Sequence, residues 1–116
     1  MSRKLGDIAE DLAAHYLISL GYRIIKSNFQ TRNGEIDLIA EKDDEITCFE
    51  VKARKNKAFG YPEEAVTEEK QIKIWKTYQD YLDREGIDND SYGLEVLAIN
   101  LDKNYNLKAI EKIPNY

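Results

Sequence analysis

Two apolar segments with ionisable residues set among them constrain this chain most. They are Gly34-Glu35-Ile36-Asp37-Leu38-Ile39-Ala40 and Cys48-Phe49-Glu50-Val51-Lys52-Ala53-Arg54. Both have strand character, and the polar stretch Glu41-Lys42-Asp43-Asp44-Glu45 between them suits a tight antiparallel turn. A turn centred on Asp43-Asp44 sets Asp37 opposite Glu50 and Glu35 opposite Lys52. Directly opposed side chains share a face with Cβ atoms about 5 Å apart, so two facing carboxylates repel. A divalent cation between them reverses that sign, which makes Asp37 and Glu50, with Lys52 beside them, a candidate metal site. An odd-length loop would instead put Asp37 and Glu50 on opposite faces. The plainer alternative is a charged hairpin surface, with Glu35 paired to Lys52 and Asp37 reaching Lys52 or Gln30.

At 116 residues the chain is expected to form a single domain, 1–116, with its own core. One cysteine, Cys48, excludes an internal disulfide framework and reads as inert packing in a cytoplasmic protein. No stretch has the length and apolarity of a membrane span, and the first residues lack the apolar run of a signal peptide. The net charge of −5 argues against non-specific nucleic-acid binding. Its distribution is uneven: residues 1–34 carry +2, residues 35–50 −6, residues 51–76 +3 and residues 77–116 −4. An acidic pocket between two basic segments fits a metal facing a polyanion, and solvated surface charge fits equally well.

Leu5, Ile8, Ala9, Leu12, Ala13, Tyr16, Leu17 and Leu20 recur at helical spacing, predicting an amphipathic helix ended by Gly21. Asp7 and Asp11 fall on its polar side; Glu10 lies at the edge of the apolar arc. Periodicity leaves open whether Glu10 leans into a site or is an ordinary boundary residue. Strands follow at about 22–31, 35–41 and 46–53. Asn33-Gly34 predicts a hairpin turn that sets Gln30 opposite Asp37. Thr67 reads as the N-cap of a second helix whose buried stripe is Ile72, Trp75, Tyr78 and Leu82. Lys70, Lys73 and Lys76 project elsewhere, as solvated face or toward phosphates. An interior strand at Leu94–Ile99 and an edge strand at Leu107–Ile113 complete an α-β-β-β-α-β order with one extra strand.

Glu10, Asp37, Glu50-Val51-Lys52 and this order of elements together resemble the PD-(D/E)xK nuclease superfamily. More narrowly, the chain is similar to the YraN family of small bacterial proteins. The shared words run from Gly6 and Glu10-Asp11-Leu12-Ala13-Ala14 through Gly34–Ala40 and Phe49–Arg54. They continue with Phe59-Gly60-Tyr61-Pro62 as far as Lys70, so the likeness spans about residues 5–82. Archaeal Holliday-junction resolvases show a looser version of the pattern. The resemblance implies a restriction-endonuclease-like α/β fold: an αβββαβ core, a mixed central sheet flanked by two helices, and here a C-terminal edge strand. It implies Mg²⁺ or Mn²⁺ held by Asp37, Glu50 and the Val51 carbonyl, with catalysis by Asp37, Glu50, Lys52 and Glu10. Gln30, Arg32, Arg54 and Lys70 are its implied nucleic-acid contacts, DNA being the expected partner. A two-fold homodimer is required if the substrate is a branched junction, with Phe59, Tyr61 and the edge strand as interface candidates. Three positions depart from the pattern: Ile36 replaces a proline, Ala9 a glycine, and Gln30 an arginine that would contact phosphate. A catalytically silent binding module on the same fold is the alternative function.

Overall fold

The computed structural model describes residues 4–55, 66–89 and 92–113. Its elements are α1 (Lys4–Ser19), β1 (Arg23–Thr31), β2 (Gly34–Lys42), β3 (Glu45–Lys55), α2 (Glu68–Glu85), β4 (Gly93–Leu101) and β5 (Leu107–Ile113). The strands form one sheet in the order β1-β2-β3-β4-β5. β1, β2 and β3 are an antiparallel meander, α2 carries the chain across to a parallel β3–β4 pair, and β5 returns antiparallel at the edge. This is the mixed αβββαβ arrangement of the restriction-endonuclease-like fold, extended by one edge strand. No described helix is long and apolar enough to cross a membrane.

The two helices cover opposite faces of the sheet. α1 buries the line Ala9, Ala13 and Leu17 against Leu38, Ala40, Phe49, Leu97, Ile99 and Leu101. Small residues at two of those three positions let the helix approach the strands closely. Leu20, placed on the apolar arc by its spacing, is 44% exposed, because α1 ends at Ser19 before reaching it. On the other face, α2 buries Ile74, Thr77, Tyr78, Tyr81 and Leu82. The expected stripe is therefore corrected: Ile72 and Trp75 are 51% and 43% exposed. Thr77 hides the true stripe from an apolar count, since its hydroxyl bonds the Lys73 carbonyl at 2.8 Å and can be buried without penalty. Thr67 caps α2 by accepting from the Lys70 N–H, as its position predicts, and Gly86 closes the helix in the left-handed conformation.

The two hairpins differ in how well their registers follow from their turns. In β2–β3, Asp43 and Asp44 both have positive φ, 54° and 66°, as a two-residue primed turn requires. Pairing then runs from Lys42–Glu45 to Leu38–Phe49 in the register expected. In β1–β2 the turn is Arg32-Asn33, so Thr31 pairs with Gly34 and Gln30 with Glu35 rather than Asp37. Side chains fix this register. The Thr31 hydroxyl and the Asn33 amide both donate to Asp80 on α2, at 2.7 and 2.8 Å, and the Asn33 N–H donates to Thr31 Oγ1. Gly34 is needed for another reason: at φ 152°, any Cβ would lie 3.2 Å from Thr77 Oγ1. It marks a close strand–helix approach instead of the turn.

Candidate functional site

The β2–β3 ladder stops at Leu38–Phe49, one step short of Asp37 and Glu50. The pleat breaks there too. Leu38 lies on the α1 face and Ile36 on the α2 face, although residues two apart in a regular strand share a side. Across β1, Asn28 has a φ of 53° between the Ser27–Leu38 and Phe29–Ile36 pairs. β2 and β3 thus fork at Asp37, while β3 continues pairing with β4, setting Glu50 beside Val96 and Lys52 beside Ala98. Asp37 does not face Glu50 as a ladder pair. Its Oδ2 accepts the Val51 N–H at 2.8 Å, taking the backbone donor that the departing strand leaves open. The Val51 carbonyl, on the same edge as its N–H, also faces the fork. The strands have separated before Glu35 could meet Lys52; Glu35 is exposed and pairs in register with Gln30.

Glu50 is 3% exposed. Its Oε1 lies 3.2 Å from Lys70 Nζ, which reaches in from the first turn of α2. Its Oε2 is buried with no hydrogen-bond partner among the described residues. Burial, followed by the nearby Asp37 charge, pushes the Glu50 carboxyl up to about 7, with Lys70 pulling against both. Asp37 is also raised by burial, although the Val51 N–H, Lys70 and Lys52 favour its charged form. Asp37, Glu50 and Lys70 therefore act on one another around a cavity of about 150 Å³. Gly34, Glu35, Asp37, Glu50, Lys70, Lys73 and Ile74 line it. Lys52 follows Glu50 on the same face of β3 and is half-buried.

Glu10, on the opposite helix, bonds the Asn28 side chain and feels the charges of Asp37 and Glu35; burial raises its carboxyl. No group of three or more His, Cys, Asp or Glu residues stands within shared metal-ligating reach among the described residues. Asp37 and Glu50 thus form a two-carboxylate arrangement, with Glu10 outside it. Two carboxylates, one of them with an oxygen that has no partner among the described residues, and a carbonyl on the same edge are hard-oxygen donors of the kind Mg²⁺ or Mn²⁺ takes.

The remaining sequence candidates lie elsewhere. Arg54, 3% exposed, pairs with Glu111 at 3.1 Å, and Asn100 donates to the same carboxylate oxygen. Arg54 thus ties β3 to β5 across β4, a position closed to phosphate contact. Arg32 lines a surface depression with Thr31, Asp80, Asp83 and Arg84, separate from the cavity. Gln30 is exposed on β1 beyond the turn-side end of the fork. Phe59 and Tyr61 lie outside the described residues. Cys48 is fully buried with its thiol pushed up to about 12 by burial, as inert packing requires. Sequence reasoning missed Asn28. Its one signal is residue type, since asparagine adopts positive φ more readily than other non-glycine residues.

Fold and site together define a small α/β protein of restriction-endonuclease-like architecture with a carboxylate-bearing fork at the centre of its sheet. Residues 9–108 match the model of an uncharacterised protein family, UPF0102. A UPF0102 protein of Alkaliphilus oremlandii is 44% identical over 114 residues, covering 96% of this chain and 97% of the relative. One from Clostridium botulinum is 39% identical, covering 95% and 93%. One from Syntrophomonas wolfei is 56% identical over 70 residues, covering 60% and 61%. The chain belongs to the UPF0102 family.

Proposed function

We propose that the β2–β3 fork is the divalent-metal centre of a nuclease of the PD-(D/E)xK type, cleaving phosphodiester bonds of nucleic acid, DNA foremost. One observation carries the reading: Glu50 is buried beside a second carboxylate, one of its oxygens without a partner among the described residues, where β2 and β3 separate. A core strand that needed only stability would place an apolar residue there. When bound, Mg²⁺ or Mn²⁺ would supply Lewis acidity toward a phosphoryl oxygen and a water of lowered pKa.

The chain's own residues account for the rest. Asp37, held by the Val51 N–H, lines the cavity, and the β3–β4 pairing fixes Glu50. Lys52 presents an ammonium on the Glu50 side of β3, suited to orienting or deprotonating the attacking water and offsetting charge on the phosphate. Glu10 acts from outside the carboxylate pair, through water. Lys70 and Lys73 line the cavity and give the substrate backbone two cations in a chain that is acidic overall.

The test is incubation with single-stranded, duplex and branched DNA and with RNA, each in Mg²⁺, Mn²⁺ or EDTA. Cleavage should require the metal and fall at least a hundredfold in Asp37→Asn, Glu50→Gln and Lys52→Ala, the scale of losing a general-base contribution. If no substrate is cut, while Lys52→Ala binds nucleic acid as well as the parent, the fold serves as a binding module and the nuclease reading is wrong.

A further inference from the structure

The cavity already contains a cation. Lys70 Nζ stands 3.2 Å from Glu50 Oε1, and the two partners are bound very unequally. The Glu50 side chain is 3% exposed and rises from the middle of a paired strand, so it cannot withdraw. The Lys70 side chain is 45% exposed, reaches Glu50 from the solvent side, and has its backbone anchored by the Thr67 cap. Its long stem lets the ammonium enter or leave without disturbing α2. A divalent ion held by Asp37 and by Glu50 Oε2, which has no partner among the described residues, would stand beside the Lys70 ammonium, which already lies 3.2 Å from Oε1 of the same carboxylate. Two cations cannot share so small a cavity without strong repulsion. Lys73, one turn further along α2, lines the same cavity and is exposed, so a displaced Lys70 would join it at the mouth.

We propose that Lys70 is a resident cation that neutralises Glu50 without metal, and that divalent-ion binding expels it toward the phosphates of the substrate. This rests on reading Asp37 and Glu50 as metal ligands. It makes Lys70 a positioning residue that couples metal loading to polyanion binding, and such coupling acts equally in both directions.

The test titrates Mn²⁺ alone into the parent, Lys70→Met, Lys73→Met and Glu50→Gln at pH 8.5, followed by electron paramagnetic resonance. Lys70→Met keeps the stem and should bind Mn²⁺ about tenfold more tightly than the parent, in the usual range of site-to-site coupling. Lys73→Met removes a neighbouring charge that holds no carboxylate, and should stay within about threefold of the parent by the same scale. Lys70→Gln, which keeps a donor to Glu50 but no charge, should move in the same direction as Lys70→Met. Duplex DNA binding, followed in a Lys52→Ala background, supplies the second readout. In EDTA, the salt dependence should be the same with or without Lys70→Met. In Mn²⁺, the chain that keeps Lys70 should be steeper by about 0.9, one extra phosphate contact. Unchanged or weaker Mn²⁺ binding in both Lys70 variants, with Glu50→Gln defective, overturns the exchange alone. Equal Mn²⁺ binding by Glu50→Gln and the parent overturns the metal centre and the exchange with it.

Discussion

Glu50 and Arg54 lie four residues apart on one face of β3, each 3% exposed, yet they occupy opposite electrostatic situations. Arg54 meets Glu111, which also accepts from Asn100, inside the sheet, and this fastens the edge strand to the centre. Glu50 meets a second carboxylate, one lysine that reaches in from solvent, and a cavity. The first charge is matched within the core; the second keeps one buried oxygen without a partner among the described residues. A buried charge is therefore no signature of function by itself. The distinction lies in whether fixed neighbours complete it.

The largest effect that would sharpen this contrast is on stability. Arg54→Ala removes the buried cation that faces Glu111 across β4 and should cost about 3–5 kcal/mol, read from urea unfolding, whether or not metal is present. A loss below about 1 kcal/mol would show that Arg54 is not the structural charge of the pair. Glu50→Gln should act in the other direction. Because burial and Asp37 raise the Glu50 carboxyl to about 7, the native chain holds its proton more tightly than the unfolded chain. The resulting stability is complete below about pH 4.5 and is lost as pH rises through about 7. In EDTA at pH 8, Glu50→Gln should thus raise stability by about 1–2 kcal/mol, less than the full shift because the Lys70 pair is lost. At pH 5 the neutral isostere should change little, so the pH slope of the parent flattens. A clear destabilisation at pH 8 would make Glu50 a structural partner like Arg54 and dissolve the comparison.

How far the sequence discloses all this depends on which interactions are local. The β2–β3 register is legible because Asp43-Asp44 can adopt the positive φ of a primed turn and nothing further along competes. The β1–β2 register is two residues off the Asn33-Gly34 expectation because Asp80, far along the chain, holds Thr31 and Asn33. The fork itself is invisible to strand counting. Continuing the ladder gives Asp37 opposite Glu50, which brings the right residues together by the wrong geometry. Arg54 reads as a phosphate contact from its motif, but its burial depends on Glu111 arriving from the last strand. On α2, Ile72 and Trp75 mislead because buried Thr77 breaks the apolar pattern. With Tyr92 and Leu94 they line a groove of about 330 Å³ instead. The α1 face, element order and carboxylate pair follow from local pattern; the partners that distinguish Glu50 from Arg54 are long-range.

Metal-dependent stability tests the central claim most directly. Thermal unfolding should be followed at pH 8 with and without Mn²⁺ for the parent, Asp37→Asn, Glu50→Gln and Arg54→Ala. Ion binding to the native state alone should stabilise by about 2.7 kcal/mol at one hundred times the dissociation constant. The parent and Arg54→Ala should show that gain, starting from different baselines, and Asp37→Asn and Glu50→Gln should lose it. Equal gains in all four proteins, or none in the parent, would contradict the assignment of the β2–β3 fork as a metal centre.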